Sequence, residues 1–187
     1  VFDGNAQDFH IGLDDTADDL VIGLGSALGT TTHMAFDETG AISQPLQPCV
    51  LVNSASTQSN LATGTDITVV WGTETFDVGG DFASNTFTAP VTGKYLINYS
   101  LRLDDLDSAA TYYALGLIAS NRSKWPLWSP AGFDQDVAYY TFLGSIVIDM
   151  DASDTFVLKV RQEGGTAQTD INSGTESGTY MSIIKVA

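Results

Sequence analysis

Residues 95–103 carry a two-residue alternation that constrains the fold more than any other pattern in the chain. A period of two over nine residues is that of a half-buried β-strand and differs from the 3.6-residue period of a helix. A turn built on Pro90 and Gly93 comes before this strand, and a short strand carrying Phe87 comes before the turn. We therefore expect a sheet with one face against a core. The residues assigned to that face are Tyr95, Ile97, Tyr99, Leu101 and Leu103.

Most of the chain beyond Cys49 shows further strand patterns and no helical period. A second long strand is predicted at Tyr139–Met150 and a shorter one at Phe156–Gln162, separated by an acidic turn. Residues 121–138 are predicted to form a long polar and aromatic loop. Around eight or nine strands indicate an all-β sandwich or jelly roll. The other predicted strands are Cys49–Asn53, Ile67–Trp71, Thr75–Val78, Tyr112–Ile118 and Tyr180–Val186.

The charge is strongly acidic and unevenly distributed. The 187 residues have a formal net charge of −16, and the first 46 residues contain no Lys or Arg. Binding to nucleic acid or to an anionic membrane is therefore disfavoured, because both need a basic surface. No apolar run approaches the roughly 20 residues of a membrane helix, and the first residues lack a signal-peptide pattern. The single Cys49 lies in an apolar run and excludes an intrachain disulfide.

Residues 1–46 form a separate, acidic and β-rich segment. The alternating residues around Ile11 and the apolar run Leu20–Leu24 predict a β-hairpin, and Met34–Phe36 predicts a third strand. A segment of this size has too little core to be stable alone, so we expect it to pair with copies of itself. Pro45 and Pro48 mark a boundary. The domains expected are a stalk or attachment segment, 1–46, and a sandwich, 47–187.

The spacing of Phe87, Pro90, Gly93 and Tyr95 resembles the signature of C1q-like domains. The resemblance covers about residues 48–187 and extends to Trp71, to the paired strands on either side of residues 151–154, and to the closing stretch 177–184. It implies a trimeric jelly roll related to tumour necrosis factor, with a departure at Ile97, where an aromatic is common. The absence of a Gly-x-y period argues against a collagen-stalked protein. Expected core or trimer-interface residues are Phe87, Tyr95, Tyr99, Phe142, Phe156 and Tyr180.

The N-terminal segment, especially Phe9–Gly25, resembles β-rich segments that precede C1q-like tips in tailed-phage and related bacterial sequences. Together the two resemblances imply a homotrimeric virion fibre or spike at the particle surface. The expected partners are other virion proteins, through residues 1–46, and a host-surface glycan or protein. Two alternatives remain: a capsid head fibre or decoration protein, and a secreted bacterial C1q-like lectin.

No catalytic motif is present. His10 and His33 lack metal-ligand neighbours, and no nucleophile elbow, phosphate loop or dinucleotide fingerprint occurs. Paired carboxylates are numerous, which leaves a glycosidase open. We expect a protein that binds without bond chemistry.

Two acidic turns are candidate Ca²⁺ sites, because carboxylate oxygens are the ligands that Ca²⁺ prefers. Neither follows the spacing of a known calcium loop, and solvated turns are the simpler interpretation. C1q-like trimers often hold Ca²⁺ near the apex, which favours the second cluster. The first cluster is Asp14, Asp15, Asp18 and Asp19, and the second is Asp104, Asp105 and Asp107.

The segment 121–130 has the best claim to ligand recognition. It concentrates Arg122, Lys124, Trp125 and Trp128 in a chain that is poor in these residue types. Trp and Arg are common binding anchors, and Trp stacks on sugar rings. The alternative is that both Trp side chains pack at a subunit interface.

Overall fold

The computed structural model describes residues 1–29, 31–173 and 178–187. Its contacts divide the chain into two compact units, Val1–Gln47 and Pro48–Ala187. The elements are β-strands apart from a single 3₁₀ turn at Pro130–Gly132 in the part described, which confirms the all-β prediction. Within those residues no helix has the length and apolar composition to span a bilayer.

The first unit is a four-stranded antiparallel sheet, here called the N-terminal sheet. The predicted hairpin forms, with Ile11 paired to Ile22 and Leu13 to Leu20. The third strand begins at Thr31, three residues before the predicted Met34–Phe36, and Thr30 lies outside the described residues. The strands follow in chain order and are β1 (Phe9–Asp14), β2 (Asp19–Leu24), β3 (Thr31–Phe36) and β4 (Ile42–Ser43).

The second unit contains two sheets, of which the first, here called the β10 sheet, is built around the longest strands. Its order is β14-β10-β17-β5-β7, and β16 also pairs with β10. The ladder between β10 and β14 runs from Gly93 opposite Met150 to Leu106 opposite Val137. The strands are β5 (Cys49–Asn53), β7 (Thr73–Val78), β10 (Gly93–Leu106), β14 (Val137–Met150), β16 (Asp170–Ile171) and β17 (Tyr180–Lys185).

The other sheet of the second unit, here called the β11 sheet, has the order β12-β11-β15-β9-β8, with β13 on β11 and β6 on β15. The predicted strand Ile67–Trp71 is shorter than expected, because the Trp71 N–H donates to Asn85 Oδ1 (2.8 Å) instead of to a neighbouring strand. The strands are β6 (Ile67–Thr68), β8 (Phe82–Ala83), β9 (Thr86–Thr88), β11 (Ala110–Ala119), β12 (Arg122–Lys124), β13 (Leu127–Trp128) and β15 (Thr155–Gly164).

The core of the second unit contains the apolar faces of both sheets. The alternation in β10 is confirmed, since Tyr95, Ile97, Leu101 and Leu103 are fully buried and Tyr99 nearly so. Burial of alternate residues from two facing sheets is the expected construction of a sandwich.

Five of the six expected core or interface residues lie in or against this interior, Tyr99 among them. Phe87, Tyr95 and Phe156 are fully buried, and Phe87 contacts Tyr95 edge to face with ring centroids 5.5 Å apart. Phe142 is partly buried and packs against the core.

Tyr180 does not belong to the core. It is 39% exposed and paired with Ser100, which lies between the inward Tyr99 and Leu101 of β10. In β17 the inward positions belong to Met181 and Ile183, so the two-residue period places Tyr180 on the outer face. The Ser177 that begins the closing C1q-like stretch lies outside the described residues.

Candidate functional site

The predicted loop 121–138 contains two short strands at an edge of the β11 sheet. β12 folds back on β11, with Arg122 opposite Ala119 and Lys124 opposite Leu117. β13 then pairs with β11 further along, with Trp128 opposite Tyr113. These pairings fix the backbone on either side of Trp125 and Pro126, so the aromatic residues are presented from an ordered edge.

The two tryptophans of this segment have different surroundings. Trp128 is part of an aromatic cluster and stacks on Tyr140, with centroids 4.6 Å apart and ring planes 22° from parallel. It also contacts Phe133 at 5.3 Å and Phe142 at 6.0 Å. Trp128 therefore packs against the edge of the core, which makes it a structural residue in the single chain.

Trp125 lies on the outer face of the β11 sheet. Its ring covers Gly116, where an added Cβ would come within 2.7 Å of the ring carbons. It lines a cleft of about 270 Å³ together with Tyr112, Leu127 and Arg161. Leu127 is largely exposed. Of the four residues predicted for recognition, Trp125 is the one that lines this cleft.

Arg122 and Lys124 project from β12 as exposed side chains and do not line the cleft. The positive charge of the cleft comes instead from Arg161 on β15, and Asp66 also lines it. The Arg161 Nε donates to Glu163 Oε2 (2.8 Å) and its Nη1 to Asp66 Oδ1 (3.1 Å). These hydrogen bonds, first to Glu163 and then to Asp66, raise the pKa of Arg161 above its ordinary value. The guanidinium is thus a fixed, permanently charged group between two carboxylates.

Sequence reasoning missed Tyr112, Asp66 and Arg161 as cleft residues. A signal existed for one pair, because Arg161 and Glu163 alternate with the inward Val160 and Gln162 and so share the outer face of a strand. No local signal connects Asp66 or Tyr112 to Trp125, since strand pairing brings them together across the β11 sheet.

The acids of the second predicted Ca²⁺ cluster do not converge on one site. Asp104 binds the guanidinium of Arg102, with Nε to Oδ1 at 2.8 Å, and Asp105 is exposed. Across residues 1–29, 31–173 and 178–187, no group of three or more His, Cys, Asp or Glu side chains is arranged to hold a metal ion. This also applies to the first cluster, at the turn between β1 and β2.

Asp107 is buried and has a structural role. Its Oδ2 accepts the N–H groups of Ala167 (2.7 Å) and Thr166 (2.5 Å), and its Oδ1 accepts that of Ala109 (2.7 Å). Burial would raise the pKa of this carboxyl, but the backbone donors, led by Ala167 and Ala109, outweigh burial and lower it. Asp107 therefore connects the turn after β10 to the loop after β15.

The outer face of the β10 sheet carries an apolar row that crosses all five principal strands. Direct pairing places Val147, Leu96, Ile184, Cys49 and Val78 side by side across the sheet. Additional exposed apolar residues flank the row: Leu143, which is 71% exposed, together with Tyr180 and Phe76. This face is the second surface of the unit with the composition of an interface.

Comparison with known proteins identifies the fold. No family model matches the sequence, and no curated protein does. Among solved structures, the globular domain of zebrafish complement 1qA protein matches with a TM-score of 0.52 and 14% identity, over 75% of this chain and 98% of that one. Murine APRIL matches with a TM-score of 0.51 and 14% identity, over 75% of this chain and 99% of that one. The chain thus contains a C1q/TNF-like jelly roll.

Proposed function

We propose that this chain is a non-enzymatic, homotrimeric virion fibre or spike protein whose jelly roll binds a host-surface saccharide in the Trp125 cleft. The observation that carries the proposal is the partly exposed Trp125 ring, held over Gly116 beside the fixed Arg161. Residues 1–46 are proposed to join the jelly roll to other virion proteins. The C1q and TNF-family neighbours are ligand-binding proteins found outside cells, which is consistent with a surface location.

The cleft has the chemistry that a sugar ring requires. A pyranose presents an apolar C–H face, which stacks on an aromatic ring, and hydroxyl groups at its edge, which need donors and acceptors. Trp125 and Tyr112 supply aromatic surface. Arg161, with Asp66 and Glu163 hydrogen-bonded to it, supplies polar groups already held in place before a ligand arrives. Such preorganisation lowers the entropic cost of binding.

The carboxylates of the cleft support binding over hydrolysis. A glycosidase places two carboxyl groups on opposite sides of the scissile bond, several ångströms apart across an open cleft. Asp66 and Glu163 instead both accept hydrogen bonds from the same guanidinium of Arg161. This arrangement favours hydrogen bonding to sugar hydroxyls.

The homotrimer is proposed to form through the outer face of the β10 sheet. The apolar row through Leu96 and Ile184, and the exposed Leu143 beside it, would be covered by neighbouring copies. The C1q and TNF-family neighbours typically form homotrimers, which supports this assignment. Trimerisation would also multiply a weak saccharide site by three and so raise avidity.

A glycan array tests the saccharide proposal. The wild-type chain of residues 1–187 should bind a defined set of glycans, and Trp125→Ala should abolish that binding while leaving the circular dichroism spectrum unchanged. Phe2→Ala is a matched control, because it removes an aromatic ring that is 62% exposed in the other unit. Equal binding by Trp125→Ala and wild type would exclude this cleft as the receptor site.

Glycan binding and association with particles, measured on the same protein, distinguish the two alternatives. A capsid decoration protein would bind stably to purified particles and show no glycan binding in any variant. A secreted bacterial lectin would bind glycans but would be absent from particles. Labelling whole particles with an antibody against this chain therefore decides between a virion protein and a secreted one.

A further inference from the structure

The N-terminal sheet has one predominantly apolar face, with Thr31 opposite Leu24 and the His33 ring against Phe9 at its margin. In β1 and β2 the directly opposed pairs are Phe9 with Leu24, Ile11 with Ile22 and Leu13 with Leu20. Opposed residues lie on the same side of a sheet. The pairing continues the face into β3 and then β4 through Met34, Phe36 and Ile42.

This apolar face is not covered by other residues of the N-terminal unit. Leu13 is 65% exposed, Ile42 59% and Ile11 50%. Together the nine side chains expose on the order of 500 Å² of apolar surface, as large as the largest patches on soluble monomers. A patch of this size indicates an interface.

The opposite face of the N-terminal sheet is already covered. His10, Val21 and Ala35 are buried there. The loop after β2 crosses this side, where Gly25 O lies 3.1 Å from His10 Nδ1 and the Leu28 side chain lies over Gly12. The sheet is therefore complete on one side and lacks a partner layer on the other.

Charge is segregated away from the apolar face. None of its nine residues is charged, and the acids of β1, β2 and the following turns lie at the strand ends. Asp14 and Asp19 pair at the end where β3 also finishes, next to Asp37 and Glu38. The covering layer must itself be apolar on its contact side and must tolerate a strongly acidic rim.

We propose that the apolar face of the N-terminal sheet packs against the same face of other copies of this chain. The inference rests on the homotrimer of the proposed function. Only residues 44–48 separate β4 from β5, and this connection reaches on the order of 20 Å. A trimer of jelly rolls would hold three such faces together at an effective concentration in the millimolar range. Apolar sheets pack face to face about 10 Å apart, and no foreign layer is then required.

Self-packing would give the apolar face and the acidic strand ends of the N-terminal sheet different binding roles. The apolar face is occupied by copies, and the acidic strand ends remain free for contact with the particle. Because the acids of all copies then lie near each other, salt should strengthen the packing by screening their repulsion. A foreign basic partner would show the opposite dependence.

Thiol labelling of the purified chain of residues 1–187 tests the proposal. In a Cys49→Ser background, Ile42→Cys places a thiol on the apolar face, and Ser43→Cys places one on the opposite side of the same strand. Both positions are exposed in the single chain. We expect the thiol at position 42 to react about tenfold more slowly than the one at 43 in the assembled protein, as for a group that is accessible only on transient opening. Adding Leu13→Glu should restore rapid reaction at position 42.

The outcomes separate this inference from the proposed function. A trimer in sedimentation with equal labelling at both positions would overturn the self-packed face and leave the jelly-roll trimer intact. A monomer at micromolar concentration would overturn both. Labelling at position 42 that slows only when particle proteins are added would assign the face to a foreign partner and so reject self-packing.

Discussion

At the scale of single residues, Trp125 and Trp128 lie three positions apart and have different roles. Trp125 lines the cleft, and Trp128 packs against the core. Trp128→Ala should destabilise the jelly roll by about 2–3 kcal/mol, somewhat less than the 3–5 kcal/mol typical of a fully buried Trp, because the residue is only partly buried. Trp125→Ala should cost about 1 kcal/mol or less, because its half-buried ring packs on Gly116 at the outer face of the sheet and not against the core. Urea unfolding followed by circular dichroism measures both. Equal losses would contradict the separation.

Asp107 gives a pH-dependent prediction. Asp107→Asn should lower the free energy of unfolding by roughly 1.5–3 kcal/mol at pH 7, the usual value of hydrogen bonds to a charged group. The pKa of Asp107 is lowered in the folded state, so its stabilisation is complete above the unfolded-state pKa of about 3.9 and is lost as the pH falls through the folded-state pKa.

The comparison of this variant with wild type by urea unfolding at pH 7 and at pH 2.5 checks the sign. The difference between the two proteins should shrink at the lower pH. Asp134→Asn removes the same charge from an exposed position and is the matched control. A difference that stays constant with pH would mean that Asp107 acts through packing alone.

The sequence indicated Trp125 as a binding residue but not its neighbours. Rare residue types in a short segment are visible without a structure, whereas Asp66 and Arg161 are brought together only by folding, with Asp66 just ahead of β6 and β6 paired to β15.

The acids at 104, 105 and 107 looked equivalent in sequence. One of them is buried because its carboxylate satisfies three backbone N–H groups, and no local pattern distinguishes it from the other two.

At the scale of elements, β11 supports the cleft through Gly116. Gly116→Ala should displace Trp125, because the new Cβ would lie within 2.7 Å of its ring. Saccharide affinity should fall about tenfold, as for the loss of one well-placed contact, and the Trp fluorescence should shift. Gly132→Ala is the control, since a Cβ there meets no atom within 4 Å. Unchanged affinity for Gly116→Ala would show that the position of Trp125 does not matter.

Strand length decided which elements the sequence revealed. β10, β14 and β15 have 10 to 14 residues, and their two-residue period was unmistakable. β4, β8 and β13 have two residues each, which is too short to display any period. Their pairing depends on residues elsewhere in the chain, and the edge of the β11 sheet next to Trp125 consists largely of such short strands.

At the scale of the whole molecule, self-association should depend on the outer face of the β10 sheet. Leu143→Glu should weaken the proposed trimer by at least about tenfold, because it would bury a charge in an apolar contact. Sedimentation equilibrium at micromolar concentration checks this. Val91→Glu introduces the same charge at a position that is 46% exposed in the turn before β10, and should leave the mass unchanged. Equal masses for both variants would show that the interface lies on another surface.

The overall architecture was the most predictable level. An all-β chain with one long alternating strand left few alternatives for the fold. How copies of the chain would associate was harder to predict from the sequence. Apolar residues at alternate positions of β1 and β2 look alike whether the chain or another molecule covers them, and only the pairing shows which side is left open.

The position of β5 also has a mechanical consequence. This strand enters the second unit immediately after Pro48 and is paired on both sides, with β17 and with β7. The Pro48 carbonyl additionally accepts the Lys185 N–H at 3.1 Å. Because ladder hydrogen bonds lie perpendicular to the strands, tension applied at Pro48 along β5 loads two ladders simultaneously in shear. A pull arriving from the N-terminal segment therefore meets an interior strand and not an edge that could peel away one bond at a time.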